Sequence, residues 1–166
     1  MIIHARSRRL LEQVDAVLHG GALEDSRLDL TLAPVSLVPF VHHIVHLNTA
    51  MATAKDITLD MTTEGAEPRA LIDAERLEQV LDTVIGDALD RTRAGGHVSV
   101  RVERTAQEAI VTVHDDGAAP LPRGLKVAIV ELIVNGHGGR VEGRGATRGW
   151  RWQLTLPLLQ GGGNDG

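Results

Sequence analysis

The 166-residue sequence has no cysteine and is poor in aromatic side chains. The absence of cysteine excludes disulfide bonds and zinc–thiolate sites, and the chain gives no sign of an oxidising compartment. With no tyrosine, one phenylalanine and two tryptophans, the core must be built from Leu, Val, Ile and Ala. Since this length is enough to bury one such core, we expect one ordinary domain with at most a short additional element.

Long apolar runs and an excess of basic residues are also absent. No stretch approaches the roughly 18 consecutive apolar residues of a membrane-spanning helix, and the N-terminus lacks the apolar segment of a signal peptide. We therefore expect a cytoplasmic fragment. A longer parent protein could still carry membrane helices outside this sequence. The 17 Lys and Arg residues are scattered and are outnumbered by 22 Asp and Glu, which argues against a nucleic-acid partner.

Hydrophobic periodicity predicts four helices. Within each of them apolar residues recur every third or fourth position, which places them on one face. Ser36 and Asp73 are suited to cap the N-termini of the second and third helices, and Gly136 is suited to end the fourth. The predicted helices cover residues 3–18, 36–54, 73–91 and 124–134.

Short strands are predicted between and after these helices, because apolar and polar residues alternate there. The two longest are joined by a hairpin-like turn at 105–108. We predict a two-layer α/β sandwich in which helices pack on one face of a mixed, largely antiparallel sheet. The predicted strands cover residues 27–32, 57–61, 70–72, 97–104, 109–114, 140–144 and 150–156.

Three segments that are far apart in the chain carry the candidate chemistry. The first is the helical segment Gln79–Thr92, and the second is a strand that ends in Asp115 and Gly117. The third is a helix that begins at Gly124. A carboxylate at a strand end can accept the exocyclic amine of adenine, and a nearby glycine lets the backbone approach the ring. A helix N-terminus opened by glycine offers unpaired N–H groups to phosphates.

These segments resemble the nucleotide-binding boxes of the catalytic domains of sensor histidine kinases, which belong to the GHKL group of ATPases. Asp87 stands where the family has the asparagine of its asparagine box, and the Ala88 that follows matches. Asp115 and Gly117 match the first glycine box, in which Ala119 replaces the second glycine. The resemblance extends from about Arg8 to Pro157. In the second glycine box Gly124 and Leu125 match, whereas Lys126 replaces a glycine.

The resemblance implies an ATP-binding domain of the Bergerat fold, with ATP and Mg²⁺ as cofactors and protein histidine kinase activity with slow ATP hydrolysis. It implies that residues 1–20 are a link helix at the end of the dimerisation domain, 21–160 the catalytic domain and 161–166 a flexible tail. Asp87 is the implied metal ligand. The implied nucleotide-binding residues are Asp115, Gly117, Arg91, Arg123, Gly124 and Lys126.

The implied partners are a histidine-bearing dimerisation domain of the same parent protein, which would be a homodimer, and a response regulator. His4 lacks the sequence context of the family's phosphoacceptor, so we expect the acceptor histidine to lie outside this chain. The tryptophans at 150 and 152 are interpreted as packing residues on one strand face. The histidines at 42, 43 and 46 are interpreted as exposed residues on a helix surface.

Two departures from the family pattern predict weak, rapidly exchanging nucleotide binding. Only Ala118–Arg123 separates the two glycine boxes, a reach of at most about 20 Å, where the family has a long mobile lid. Arg91 stands where an aromatic residue often covers adenine, and we predict that its guanidinium stacks on the base instead. The alternative hypothesis is a degenerate module that keeps the fold and docks a response regulator. An anti-sigma-type serine kinase is disfavoured by the leading helix.

Overall fold

A computed structural model describes residues 29–118, 125–146 and 148–159. The predicted link helix, the glycine-rich tail and two of the predicted nucleotide-binding residues, Arg123 and Gly124, lie outside the described residues. Within the described ranges, no helix is both long enough and apolar enough to cross a membrane.

The described chain contains three helices and seven strands. Both long helices lie where the apolar spacing predicts them, and the predicted strand bounds are confirmed to within one or two residues, except for the strand predicted at residues 27–32. The helices are α1 (Leu37–Ala54), α2 (Ala74–Arg91) and α3 (Leu125–Gly136). The strands are β1 (Ala33–Ser36), β2 (Thr58–Thr63), β3 (Arg69–Ile72), β4 (His97–Arg104), β5 (Glu108–Asp115), β6 (Arg140–Gly145) and β7 (Trp150–Pro157).

Five strands form one sheet in the order β2-β4-β5-β7-β6. Only the β2–β4 pair is parallel; the other three pairs are antiparallel, which confirms the prediction of a mixed, largely antiparallel sheet. The central strands β4 and β5 bury every second residue, so one face of the sheet packs against the helices. The buried apolar residues on these strands are Val98, Val100, Val102, Ala109, Val111 and Val113.

Helix α2 runs across the middle of this core. Its residues Val80, Val84 and Ala88, spaced four apart, are completely buried, because this spacing places them on one side of the helix. The N-terminus is capped as predicted, since Asp73 Oδ1 accepts a hydrogen bond of 3.2 Å from the backbone N–H of Arg76. The other carboxylate oxygen of Asp73 accepts the N–H of Thr31 at 2.9 Å. The cap therefore holds both the helix and the chain that enters the domain.

The strand predicted over residues 27–32 is wrong in the part that the structure describes, and its first two residues lie outside the described residues. Residues 29–32 are not extended into a sheet, and the first strand is β1, which pairs antiparallel with β3 in a separate two-stranded sheet. The alternation of leucines was misleading, because Leu32 is 47% exposed and Leu30 packs against Gly136 at the end of α3. Pro34 is the second residue of β1. Proline has no N–H to donate, but a strand at the edge of a sheet tolerates it because the N–H on its open side needs no strand partner.

His137 joins the end of α3 to the start of α2. It is 6% exposed, and its Nδ1 donates to the carbonyl oxygen of Ile133 at 2.8 Å. Its Nε2 accepts the backbone N–H of Asp73 at 3.0 Å, so the neutral ring satisfies one group on each helix. Gly138 follows with a φ of 76°, the left-handed conformation that ends many helices.

We expect His137→Ala to lower the free energy of unfolding by about 1–3 kcal/mol, because the N–H of Asp73 loses its buried partner. Urea unfolding at neutral pH measures this loss. His42→Ala is the matched control, since His42 is exposed on α1, and its effect should stay within about 0.5 kcal/mol. Equal effects of the two substitutions would contradict the bridging role of His137.

Candidate functional site

The candidate site lies where three elements end or begin. The last turn of α2 carries Asp87 and Arg91, β5 ends at Asp115, and the first turn of α3 carries Lys126. These elements are far apart in sequence, and the sheet and its covering helices bring them together. Five of the seven predicted site residues lie within this cluster: Asp87, Arg91, Asp115, Gly117 and Lys126.

Arg91 lies between the two carboxylates of the cluster. Its Nη1 donates to Oδ2 of Asp87, one helical turn earlier, at 2.5 Å. Its Nη2 forms a short ion pair with Oδ2 of Asp115. The side chains of Arg91 and Asp115 are 5% and 1% exposed, so water screens this pair very little. The guanidinium is the only described cation in contact with Asp115, and it ties the end of α2 to the end of β5.

Asp115 and Gly117 form a tight turn at the end of β5. The backbone N–H of Gly117 donates to Oδ1 of Asp115 at 2.9 Å. A side chain at 117 would overlap the carbonyl oxygen of Arg91, so glycine is required here to let the two elements meet. The same argument holds at Gly149, where a Cβ would overlap the carbonyl oxygen of Asp115 and where φ is 85°.

Lys126 faces the site from the first turn of α3. Its Nζ lies 3.7 Å from Oδ1 of Asp87, which is an ion pair but is too long for a hydrogen bond. The lysine side chain is 47% exposed, whereas that of Asp87 is 12% exposed. The ammonium group of Lys126 can therefore turn toward a ligand in solvent without itself becoming a buried charge that lacks a partner.

The environment of Asp87 shifts the pKa of its carboxyl group. Burial raises its pKa above the ordinary value of 3.8, against the opposing charges of Arg91 and Lys126, while the charge of Asp115 acts with burial. The indole nitrogen of Trp152 lies near this carboxylate and lowers the pKa, although it makes no hydrogen bond of standard geometry.

The two tryptophans are confirmed as packing residues, and the structure adds a role at the site that the sequence analysis missed. Trp150 is the antiparallel partner of Asp115, so both side chains emerge on the same sheet face. Trp152 is 2% exposed, and the two rings meet edge to face with centroids 6.0 Å apart. Three buried N–H donors here lack partners in the described structure: Arg91 Nε, Trp150 Nε1 and Trp152 Nε1.

The histidines of α1 do not belong to this cluster. His42, His43 and His46 are exposed, as predicted. The described residues contain no group of three or more His, Asp or Glu side chains arranged to hold a metal ion. Arg123 and Gly124 are not among the described residues, so their nucleotide-binding roles stay predictions.

One carboxylate oxygen in the cluster suits Mg²⁺. Asp87 Oδ2 is held by Arg91, whereas the ion pair described for Oδ1 is the 3.7 Å contact with the half-exposed Lys126. Mg²⁺ is usually held by one or two carboxylates, water and the substrate's phosphates rather than by a complete protein cage. Asp87 therefore fits the task of a single protein ligand to Mg²⁺, with the remaining ligands coming from phosphates and water.

The sequence is similar to sensor histidine kinases, although no protein-family model matches the chain. The circadian input-output histidine kinase CikA of Synechocystis is 25% identical over an alignment that covers 84% of this chain and 22% of that protein. The sensor protein kinase PmrB of Pseudomonas aeruginosa is 33% identical over 93% of this chain and 36% of that protein. The chain thus spans only about a fifth to a third of these relatives.

Solved structures of histidine kinases share the fold. The catalytic domain of histidine kinase ThkA superposes with a TM-score of 0.70 at 20% identity, covering 77% of this chain and 97% of that domain. Full-length ShkA in complex with AMPPNP gives 0.76 at 26% identity, covering 92% of this chain and 36% of ShkA. ThkA in complex with the response regulator TrrA gives 0.71 at 19% identity, covering 90% of this chain and 48% of that one.

We expect Asp87→Asn to raise stability at pH 7. Because the pKa of Asp87 is raised on folding, the ionised carboxylate lowers the stability of the folded state above that pKa. The advantage of the variant should be full at neutral pH and should shrink as pH falls through the folded pKa toward 3.8.

Urea unfolding at a series of pH values measures this difference. Asp90→Asn is the control on the same helix, because the side chain of Asp90 is 70% exposed and its variant should show no such pH-dependent gain. An Asp87→Asn variant that is less stable than the parent at pH 7 would contradict the expectation.

Proposed function

Because the chain is a homologue of the sensor histidine kinases with the fold of their catalytic domain, we propose that it is the ATP-binding catalytic domain of such a kinase. In this role it transfers the γ-phosphoryl group of ATP to a histidine outside this chain. One observation carries the proposal: the buried Asp115 at the end of β5 lies in the same cluster as Asp87 of α2 and Lys126 of α3. Asp115 would bind the base, Asp87 the metal and Lys126 the phosphates, and one nucleotide needs all three close together.

Adenine recognition is assigned to the end of β5. A carboxylate with 1% exposure at that point is an acceptor for the exocyclic amine of the base. Gly117 supports this role, since its N–H orients one carboxylate oxygen and its missing side chain lets the turn pack against the end of α2. A purine seated there would lie beside the last turn of α2.

Phosphate binding is assigned to the start of α3. The N-terminal turn of a helix presents unpaired N–H groups and the positive end of the helix dipole, both of which favour anions. Lys126 adds a cation in that turn, and its half-exposed side chain is able to leave Asp87 for a phosphate oxygen. The glycine that this lysine replaces in the family would supply no charge.

Asp87 is the proposed Mg²⁺ ligand. Mg²⁺, when bound, neutralises phosphate charge and favours transfer of the γ-phosphoryl group to an oriented acceptor. The protein's part is to fix the carboxylate, which Arg91 does by holding Oδ2 and leaving Oδ1 toward Lys126. Phosphoryl transfer needs positioning and charge stabilisation rather than a covalent step on the protein, and no nucleophile is required in the cluster.

The proposed partners are the histidine-bearing dimerisation domain of the parent protein and a response regulator, and the parent is proposed to be a homodimer. The ThkA complex with TrrA supports a regulator as partner for proteins of this fold. The same complex keeps the second candidate open, a degenerate module that docks a regulator without binding nucleotide. Titration with ATP in the presence and absence of Mg²⁺ separates the two, because the docking module shows no saturable, metal-dependent signal.

We expect Asp115→Asn to weaken ATP binding by about 1.5–3 kcal/mol, because a hydrogen bond to a buried charge is lost. Isothermal titration calorimetry measures the change. Thermal unfolding of the same sample is needed beside it, since Asp115 also pairs with Arg91. Asp116→Asn is the neighbouring control for the loss of a carboxylate. A folded Asp115→Asn variant that binds ATP as tightly as the parent would place the base elsewhere.

We expect Asp87→Ala to abolish ATP hydrolysis while metal-free nucleotide binding falls only modestly, because the proposed Mg²⁺ ligand is lost. Asp87→Asn should retain much of the activity, since an amide oxygen is also a hard ligand. Steady-state phosphate release across a Mg²⁺ series measures both variants, with Asp90→Ala as a control on the exposed side of α2. Unchanged hydrolysis in Asp87→Ala would remove the metal site.

A further inference from the structure

Both oxygens of the carboxylate assigned to adenine are already engaged by the protein. Oδ1 of Asp115 accepts the N–H of Gly117, and Oδ2 is paired with Arg91. Each oxygen has lone pairs for a second hydrogen bond, but Asp115 is 1% exposed, so an adenine amine reaches it only when a neighbouring group moves aside. The N–H of Gly117 belongs to the turn itself, so the partner that can be exchanged is the arginine.

The guanidinium of Arg91 is not positioned to stack on a base. Its side chain is 5% exposed and is held at two nitrogens by two carboxylates, which fixes the plane of the group inside the protein. Arg91 thus takes the place of a ligand at Asp115 instead of covering one. The remaining guanidinium donor, Nε, is buried without a partner.

Arg91 also retains an ion pair with Asp87 when its guanidinium moves away from Asp115. Its Nη1 keeps the 2.5 Å contact with Asp87, which lies on the same helix one turn away. Only one of the two ion pairs has to open, and the charge of the guanidinium stays neutralised. Lys126 is able to withdraw from Asp87 at the same time, since its side chain is half exposed.

We propose that Arg91 is an internal competitor for the base-binding carboxylate, so that a purine nucleotide must displace its guanidinium from Asp115 in order to bind. This inference rests on the proposed nucleotide site and adds to it a residue that sets affinity. The nucleotide binds only the fraction of molecules in which the Arg91–Asp115 pair is open, and the apparent dissociation constant rises in inverse proportion to that fraction. The occupied carboxylate therefore keeps nucleotide affinity low.

The test is a double variant, Asp87→Asn with Arg91→Phe. Phenylalanine cannot donate a hydrogen bond, so Oδ2 of Asp115 becomes free for a ligand, and the paired substitution leaves the net charge unchanged. We expect the dissociation constant for ATP, measured by calorimetry at one fixed Mg²⁺ concentration, to fall by about tenfold or more. The double substitution Lys55→Gln with Asp90→Asn is the matched control, since it removes an exposed ion pair that includes α2 and should leave the constant unchanged.

A second variant guards against a loss of folding, because Arg91→Phe leaves Asp115 buried without a cation. Arg91→Lys keeps the charge, but one ammonium group cannot reach two carboxylates in the manner of a planar fork. We expect it to bind ATP more tightly than the parent by a smaller factor than the double variant. Thermal unfolding shows which variants are folded and therefore which titrations decide the question.

The outcomes separate this inference from the proposed function. Tighter ATP binding in a folded variant, including binding that appears only after substitution, supports the competition. If the parent binds ATP and every folded variant binds it equally or more weakly, Arg91 does not compete, while the nucleotide site stands. If neither the parent nor any folded variant binds ATP, the nucleotide site is wrong and this inference fails with it.

Discussion

The ion pair between Arg91 and Asp115 is the interaction on which the site depends. It joins the last turn of a helix to the last residue of a central strand, so it fixes the spacing between the two layers at the candidate site. Both side chains are almost fully buried, and a buried charge without its partner costs several kcal/mol. The surrounding groups are arranged to meet that constraint. Asp87 holds the second guanidinium nitrogen, and Lys126 approaches Asp87 from the third element.

The backbone accommodates this pairing through two close approaches. Gly117 passes beside the carbonyl group of Arg91, and Gly149 passes beside the carbonyl group of Asp115. Neither position has room for a side chain. The two glycines therefore let the backbone pack closely around both members of the ion pair, and the pair and the two glycines form one packed unit. The tryptophans of β7 lie beside this unit, Trp150 opposite Asp115 in the sheet and Trp152 near the carboxylate of Asp87.

Much of the fold was predictable because its signals are local. The cap at Asp73, the apolar stripe of α2 and the alternation along β4 depend on residues that are close in sequence, and the structure confirms all three. The error at residues 27–32 has the same origin. Alternating leucines satisfy the local rule for a strand, but a strand needs a partner, and β3 pairs with residues 33–36 instead. Pairing is not visible in a local pattern.

The candidate site was predicted residue by residue but not contact by contact. The motifs identify Asp87, Asp115 and Lys126, because a carboxylate or a cation at such a position suggests its chemistry. They do not show that Arg91 reaches across two elements to Asp115, since this requires the register of β5 and the end of α2 in three dimensions. Trp152 was missed as a neighbour of Asp87 for the same reason. A prediction of strand pairing would have placed both tryptophans near the acidic end of β5.

The bond from His137 to the first turn of α2 has a mechanical consequence. Asp73 receives the N–H of Thr31 on its side chain and gives its own N–H to His137, so the incoming chain and two helices meet at one residue. From there α2 runs for 18 residues, or about 27 Å, to the arginine at its other end. A helix of this length resists bending within a packed core. The chain at Thr31 is thus coupled through one stiff helix to Arg91, which holds Asp115, the carboxylate proposed to bind the base.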